Sequence, residues 1–191
     1  MSVIGGIPSW GSHRPALEIL LATGEVRTVL ELGMGKASTR TFLSYDVQLA
    51  SWESSPEWAK SAVECIPNYN KVRGHHSIRM VGKNQYGRLL AGVSIKHDLI
   101  FVDAHERIAC INNSWGKARV IVTHDCEEPS YGWGGIKGSP DYVLIQVNGI
   151  VPWTWVWVRK GDSLLSVTAN LANLTKPAYY GNKKYREGVP K

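Results

Sequence analysis

Two short clusters of acidic and histidine residues follow apolar runs in the middle of the chain. The first cluster contains Asp103 and His105, and the second contains His124 and Asp125. Imidazole and carboxylate groups act as general bases and as ligands of divalent metal ions. Either cluster alone is typical of an ordinary surface loop. If both lie at the same edge of a sheet, however, the four residues form a candidate catalytic or metal site.

A glycine-containing turn and a later acid form a second candidate site. Gly33 and Gly35 follow an apolar run, and Ser38 stands near the start of the next helical segment. Glycines let the backbone approach a ligand closely, and a helix N-terminus favours an anionic group. Glu53 ends the following apolar run, where a carboxylate can accept both hydroxyls of a ribose. The combination predicts a cofactor of the nucleotide type.

These residues are positioned by apolar strands that alternate with helical segments. The predicted strands are 26–33, 47–53, 76–81, 98–103, 118–123, 142–147 and 153–159. The predicted helices are 15–23, 39–43, 56–65, 86–90 and 106–113. Near-continuous apolar strands are typical of a parallel sheet that is covered on both faces. Only residues 148–152 separate the last two strands, which is too short for a helical crossover, so these strands should pair as an antiparallel hairpin.

The order of these motifs resembles the class I S-adenosylmethionine (SAM)-dependent methyltransferases. The resemblance rests on the segments 31–37, 52–58 and 98–103 and on the terminal hairpin, and it spans about residues 12–160. It implies a Rossmann-like, three-layer α/β sandwich with a mostly parallel seven-stranded sheet. It also implies an enzyme that transfers a methyl group from SAM, and we expect the acceptor atom to be oxygen.

The same resemblance implies contacts with the cofactor. Glu31 would help to hold the methionine end of SAM, the glycines would pass beneath it, and Glu53 would bind the ribose. Asn84, after the third strand, is the candidate for the adenine. The full set of expected cofactor-binding residues is Glu31, Gly33, Gly35, Ser38, Glu53, Ser54, Asn84 and Asp103.

The segments around Asp103 and Asp125 resemble metal-dependent O-methyltransferases more narrowly. This resemblance implies that Asp103, His124 and Asp125 are ligands of a divalent metal ion. His124 replaces a carboxylate of that family, and imidazole suits transition metals better than magnesium. Alternatively, His124 is a general base that accepts a hydroxyl proton from the methyl acceptor.

Two other functions fit parts of the sequence. A nicotinamide-dependent Rossmann enzyme also has an acid about 20 residues beyond its glycine turn. Against it, Ser38 stands where that fingerprint has its third glycine, and Glu31 puts a charge beside the phosphates. A non-catalytic module that binds nucleotides or nucleic acid on the same fold is the second alternative.

The positive charge of the chain lies mainly at its C-terminal end. The 191 residues carry a net charge of +6, of which residues 176–191 contribute +4. We therefore expect a single domain over residues 1–175 and a basic tail over 176–191. The tail, with its three tyrosines, fits either a solvated terminus or an arm that binds nucleic acid. The methyl acceptor can accordingly be a small molecule or a nucleic acid.

Composition also limits the setting of the protein. The start of the chain has no signal-peptide pattern, and no apolar stretch of ~18 residues predicts a membrane span. The three cysteines, Cys65, Cys110 and Cys126, lack metal-ligand spacing, which favours reduced thiols. We expect a cytoplasmic protein without a membrane partner.

Two segments in the C-terminal half of the chain, 127–140 and 153–159, contain several aromatic residues. The glycine-rich segment 127–140 contains Tyr131 and Trp133, and it fits either a mobile lid over the substrate or an ordinary connection. Trp153, Trp155 and Trp157 alternate along the last strand, so they share one face, and we expect them in the core.

Overall fold

The computed structural model describes residues 11–149 and 152–174. It contains the strands β1 (Thr28–Leu32), β2 (Gln48–Glu53), β3 (His76–Met80), β4 (His97–Val102), β5 (Ala118–His124), β6 (Tyr142–Val147) and β7 (Thr154–Arg159). They form one seven-stranded sheet in the order β3-β2-β1-β4-β5-β7-β6. β1 to β5 are parallel, whereas β7 is antiparallel to both β5 and β6. The predicted mostly parallel sheet with a terminal hairpin is confirmed.

Seven helices connect and cover the strands within the described residues. They are α1 (Arg14–Ala22), α2 (Ser38–Phe42), α3 (Pro56–Glu64), α4 (Tyr69–Val72), α5 (Tyr86–Ala91), α6 (Arg107–Ser114) and α7 (Leu164–Thr168). The short helices α4 and α7 were not predicted, because one turn of helix is too short to produce a recognisable apolar period. Ser55 caps α3 by accepting a hydrogen bond from the backbone N–H of Trp58, and Pro56 fits the first turn.

The two faces of the sheet are covered by different helices. Successive side chains of a strand point to opposite faces, so Val29 of β1 packs in a cluster with α1, α2 and α7, and Leu30 packs in a cluster with α5 and α6. Phe101 and Ile100 of β4 divide in the same way. Both faces of the central strands are therefore buried, as their near-continuous apolar sequence requires.

The tryptophans of the last strand are only partly in the core. Trp157 is 6% exposed, but Trp153 and Trp155 are partly buried. Trp155 packs against Trp133, with ring centroids 5.4 Å apart. The expectation of a core position holds for Trp157, whereas Trp155 is covered from one side by the segment 127–140.

Three further expectations concern membrane spans, the cysteines and the C-terminal tail. Within them, no helix is long and apolar enough to cross a membrane. Cys65, Cys110 and Cys126 are free thiols, and the last two are buried. The basic tail, residues 176–191, lies outside the described residues.

Candidate active site

The turn that follows β1 brings the ends of β1 and β4 into close contact. Gly33 has a φ of +86°, and a Cβ added there would lie 2.5 Å from the carbonyl oxygen of Asp103. A Cβ on Gly35 would lie 2.6 Å from Oγ of Ser38. The positive φ and the crowding together explain why glycine is needed at position 33. The backbone of this turn therefore lies directly beside the residue that follows β4.

Glu53, the last residue of β2, is held against the same turn. Its carboxylate accepts hydrogen bonds from the backbone N–H groups of Met34 at 2.8 Å, Ser54 at 2.7 Å and Ser55 at 2.9 Å. The side chain is nearly buried. A carboxylate has about four lone-pair positions, and these three hydrogen bonds leave about one of them, on Oε2, for a hydroxyl group of a ligand. The backbone thus fixes an acceptor group in place before any ligand binds.

These residues border a cleft of about 450 Å³ at the carboxyl ends of the parallel strands. Sites for small molecules have volumes of about 300–1,000 Å³. The predicted site residues that line the cleft are Gly33, Gly35, Glu53, Ser54, Asp103 and His105. Four other side chains that line it are Trp58, Tyr86, Arg107 and Tyr131.

Glu31 and Ser38 are placed differently from the contact that the resemblance implies. Glu31 is fully buried, and its carboxylate accepts hydrogen bonds from the hydroxyls of Ser38, Thr39 and Ser51 at 2.6–3.0 Å. Burial raises the pKa of Glu31 to about 7, although these hydrogen bonds favour the charged form. Neither Glu31 nor Ser38 is among the residues that line the cleft. Glu31 instead ties β1 to α2 and β2 beneath the turn.

Asn84 also lies away from the cleft. It is exposed in the turn between β3 and α5 and is not among the lining residues. Tyr86, two residues later, lines the cleft instead. Its side chain is 1% exposed, and burial raises its pKa to about 12. Asn84 is therefore outside the residues that line the cleft, and its contact with the adenine stays a prediction.

Asp103 and Asp125 converge as expected, but an arginine lies between them. Arg107, the first residue of α6, donates hydrogen bonds to the carboxylate of Asp103 and, at 2.9 Å, to that of Asp125. It also donates to the backbone carbonyls of Ala104 at 2.8 Å and His124 at 3.3 Å. The carboxylates after β4 and β5 are therefore joined through a single guanidinium group.

His124, the last residue of β5, lies behind these carboxylates. Its Nδ1 is 3.2 Å from Asp125 and 3.8 Å from Asp103, and its Nε2 shares a hydrogen bond of 2.5 Å with the hydroxyl of Ser12. The ring of His13 packs edge-on against His124 with centroids 4.5 Å apart. Among the described residues, neither ring nitrogen of His13 has a hydrogen-bond partner. His124 is 3% exposed and is not among the lining residues, whereas His105 is exposed and lines the cleft.

The pKa values follow from burial and from this charge arrangement. Burial opposes the ionisation of Asp103, but the nearby His124 and Arg107 outweigh it and lower the pKa of Asp103 to about 2. Burial lowers the pKa of His124, but the carboxylates of Asp103 and Asp125 have the larger combined effect. They hold the pKa of His124 above its ordinary value. Burial raises the pKa of Asp125, and it lowers the pKa of His13 to about 3. Asp103 is thus a stable anion.

The expected metal ligands meet one another, but their surroundings do not fit a metal ion. One ligand atom from each of Asp103, His124 and Asp125 lies within 4.8 Å of the others. The guanidinium of Arg107 nevertheless bonds to both carboxylates, and the nitrogen of His124 that faces away from them is bonded to Ser12. One oxygen of each carboxylate is thus already bonded to Arg107, and the other oxygen of each lies beside Nδ1 of His124.

Tyr131 of the segment 127–140 packs over this group. The centre of the Arg107 guanidinium lies 4.0 Å from the centroid of the Tyr131 ring. Trp133 packs edge-on against Tyr131 and donates a hydrogen bond to the backbone carbonyl of Glu128. Tyr131 is thus the aromatic ring of this segment that lines the cleft, and Trp133 supports it from outside the cleft.

Three members of this group, Arg107, Ser12 and His13, were not predicted from the sequence. Arg107 follows Asp103 by four residues, but it is the first residue of α6, so Asp103 precedes the helix and the pairing rule for helices did not predict this contact. Ser12 and His13 are more than one hundred residues away from His124 in the sequence. No local pattern connects residues so far apart, and only the fold places α1 beside β5.

Comparison with known proteins gives matches at the level of structure. No protein-family model matches the chain, and no curated protein sequence matches it. An O-methyltransferase of Streptomyces achromogenes, involved in tomaymycin synthesis and crystallised with SAM, matches with a TM-score of 0.58 at 18% identity, over 80% of this chain and 88% of that one. An O-methyltransferase of Bacillus cereus, crystallised with SAH, matches with a TM-score of 0.56 at 17% identity, over 80% of this chain and 82% of that one.

A third similar structure is that of an enzyme that is not named a methyltransferase. Spermidine synthase of Thermotoga maritima matches with a TM-score of 0.56 at 13% identity, over 90% of this chain and 67% of that one. One fold can carry several reactions, so the similarity establishes the architecture and leaves the reaction to the site. The chain has the Rossmann-like fold of class I SAM-dependent methyltransferases, as the order of its motifs implied.

Proposed function

We propose that the protein is a SAM-dependent methyltransferase that transfers the methyl group to an oxygen atom of its acceptor. The observation that carries this proposal is the cleft beside Gly33, where three backbone N–H groups orient the carboxylate of Glu53, which would accept a hydroxyl of the cofactor ribose. Solved structures of the same fold contain SAM or SAH.

The residues around the cleft fit the parts of such a cofactor. Glu53 would hold the ribose, and the turn at Gly33 and Gly35 would let the methionine end approach the backbone. Tyr86 and Trp58 supply aromatic surface on the cleft wall. When bound, SAM supplies an electrophilic methyl group on a positively charged sulfur.

The acceptor side of the cleft contains groups that suit a hydroxyl. A hydroxyl must lose its proton as the new carbon–oxygen bond forms, and histidine is the most frequent general base. His105 lines the cleft and is exposed, so its imidazole can reach an acceptor. Asp103, with a pKa of about 2, is a weak base but a fixed negative charge. His124 and Asp125 hold this charge arrangement from behind.

Calorimetric titration tests the cofactor. We expect SAM and SAH to bind with one site per chain, and ATP and NADH to bind far more weakly, because neither carries a methionine end. Equal binding of ATP or NADH would favour a nucleotide-binding module or a nicotinamide enzyme. If none of the four ligands binds at millimolar concentration, the proposal is wrong.

Mass spectrometry of products tests the transfer itself. The protein is incubated with SAM and a panel of phenolic and aliphatic hydroxyl compounds. The expected product is an acceptor in which a methyl group has replaced the hydrogen of a hydroxyl group. Methylation only of matched amines or thiols would contradict the assignment to oxygen.

A further inference from the structure

All three guanidinium nitrogens of Arg107 donate hydrogen bonds, one of them to the carboxylates and two to nearby backbone carbonyls. Nη2 donates to Asp103 and Asp125, Nη1 donates to the carbonyl of Ala104, and Nε donates to the carbonyl of His124. A guanidinium presents five N–H donors in a rigid plane and is not deprotonated in proteins. Most of its donors are therefore used in fixing one permanent positive charge at this point.

The side chain is also enclosed. Arg107 is 6% exposed, and the ring of Tyr131 lies 4.0 Å from the guanidinium centre. An aromatic face attracts a cation. Hydrogen bonds within the plane and a ring on one face together hold the guanidinium where it is.

The two carboxylates are arranged for a cation. Asp103 and Asp125 come from the ends of neighbouring strands, and Asp125 adopts a φ of +59°, a left-handed conformation that few residues other than glycine take up. With His124 they form a donor set whose ligand atoms lie within 4.8 Å of one another. A positive charge among these acids favours their charged forms, because it offsets the repulsion between the carboxylates.

We propose that Arg107 is a built-in cation that occupies the position of a divalent metal ion between Asp103 and Asp125, so that the protein works without a metal. Arg107 is then a positioning residue, which holds both carboxylates and supplies positive charge at the cleft wall. Methyl transfer without a metal rests on the proposed function. Occupation of the site by Arg107 does not, because metal binding can be measured without SAM or an acceptor.

Titration with Mn²⁺, followed by the loss of the electron paramagnetic resonance signal of the free ion, tests the occupied site. We expect wild-type protein to bind no Mn²⁺ at this site at millimolar concentration. Arg107→Ala removes the guanidinium and exposes the donor set, and we expect it to gain one Mn²⁺ per chain. In the double variant Arg107→Ala/Asp125→Asn, binding should be at least about 10-fold weaker, because one ligand charge is lost.

A purely structural ion pair would not produce this gain of metal binding. If the wild type binds one Mn²⁺ per chain and Asp125→Asn abolishes that binding, the proposal is overturned. It is also overturned if a folded Arg107→Ala variant binds no Mn²⁺. Should circular dichroism show that Arg107→Ala is unfolded, Arg107→Met, which keeps the apolar part of the side chain, takes its place, and the wild-type titration remains decisive.

A chelator separates this proposal from the proposed function. If SAM binds and a methyl group is transferred, both should be unchanged by EDTA in the wild-type protein. Activity that EDTA abolishes and Mn²⁺ restores would overturn the metal-free mechanism but support the methyltransferase. Failure to bind SAM would instead contradict the proposed function and leave the Mn²⁺ result intact.

Discussion

At the scale of single residues, Glu53 carries the interpretation of the cleft as a cofactor site. Its carboxylate is oriented by three backbone N–H groups from two different segments, the turn after β1 and the start of α3. A ribose of the proposed cofactor would therefore meet a carboxylate that is already ordered. It also means that Glu53 supports the local backbone as well as the ligand.

Replacement of Glu53 tests its role directly. Glu53→Gln keeps the size of the side chain and one acceptor atom but removes the charge. Because hydrogen bonds to charged groups contribute about 1.5–3 kcal/mol, we expect SAM affinity to fall by roughly 10- to 100-fold. Glu57→Gln, an exposed acid in the first turn of α3, is the matched control and should bind SAM like the wild type. Calorimetry measures both, and unchanged affinity in Glu53→Gln would remove the ribose assignment.

His105 is the residue on the cleft wall that can accept a proton. General base catalysis contributes about 10²- to 10⁴-fold to rates, so His105→Ala should lower kcat within that range and leave the Kd for SAM unchanged. His75→Ala, an exposed histidine at the amino ends of the strands, should have normal kcat. Stopped-time product assays measure both variants. If His105→Ala keeps full kcat, the base is another group, and His124→Ala becomes the next variant to compare.

Glu31 predicts an effect of pH on stability. The pKa of Glu31 is raised from 4.5 to about 7 by burial, so between these pH values the folded protein binds more protons at this residue than the unfolded chain does. Stability therefore falls as pH rises from about 4.5 to about 7, by an amount on the order of 3 kcal/mol. In Glu31→Gln this part of the decline should disappear.

Urea unfolding at several pH values measures that difference. His76, which bonds to Ser51 of the same network, has its pKa lowered from 6.5 to about 4 by burial, so its contribution makes stability rise with pH over an overlapping range. Wild type and Glu31→Gln share this contribution. The comparison of wild type and Glu31→Gln between pH 5 and pH 7 isolates Glu31. Parallel pH profiles of the two proteins would show that Glu31 is ionised in the folded state throughout.

At the scale of elements, the turn between β1 and α2 depends on contact between two backbone segments. Gly33 lies against the carbonyl of Asp103, and Asp103 donates its backbone N–H to the carbonyl of Leu32. The turn between β1 and α2 and the first residue after β4 therefore hold each other in position.

A pair of glycine variants separates crowding from backbone strain. Gly33→Ala combines a φ of +86° with a Cβ 2.5 Å from a backbone oxygen, whereas Gly116→Ala combines a φ of +77° with open space. The strain alone costs about 1–2 kcal/mol, and crowding should add about 1–3 kcal/mol at Gly33. Thermal unfolding should therefore show a larger loss for Gly33→Ala, and only this variant should weaken SAM binding. Equal losses would mean that the neighbouring backbone moves away.

At the scale of the whole molecule, the charge is distributed unevenly. Residues 1–175 carry a net charge of +2, and residues 176–191 carry +4. The candidate site itself contains mostly carboxylates, histidines and Arg107. The tail can therefore influence the choice of acceptor without taking part in the chemistry.

Deletion of residues 176–191 tests this division. We expect SAM affinity and the unfolding temperature to be unchanged in the truncated protein. If the acceptor is a nucleic acid, its binding to the full chain should weaken steeply with salt, because bound cationic groups release counterions, and truncation should reduce that slope. For a small neutral acceptor, salt and truncation should have little effect. A large loss of SAM affinity on truncation would contradict the boundary at residue 175.

The sequence by itself determined the seven strands, five of the helices, the terminal hairpin and the glycine turn with Glu53 after the next strand. These features depend on local periodicity, loop length and the conformational freedom of glycine, which are written in neighbouring residues. Only the tertiary structure decided that Glu31 is enclosed by hydroxyls, that Asn84 is not among the residues that line the cleft, and that the segment before α1 brings Ser12 to His124. It also placed Arg107 between two acids from different strands. Pairing across such distances along the chain depends on how the strands assemble, which no local pattern of residues encodes.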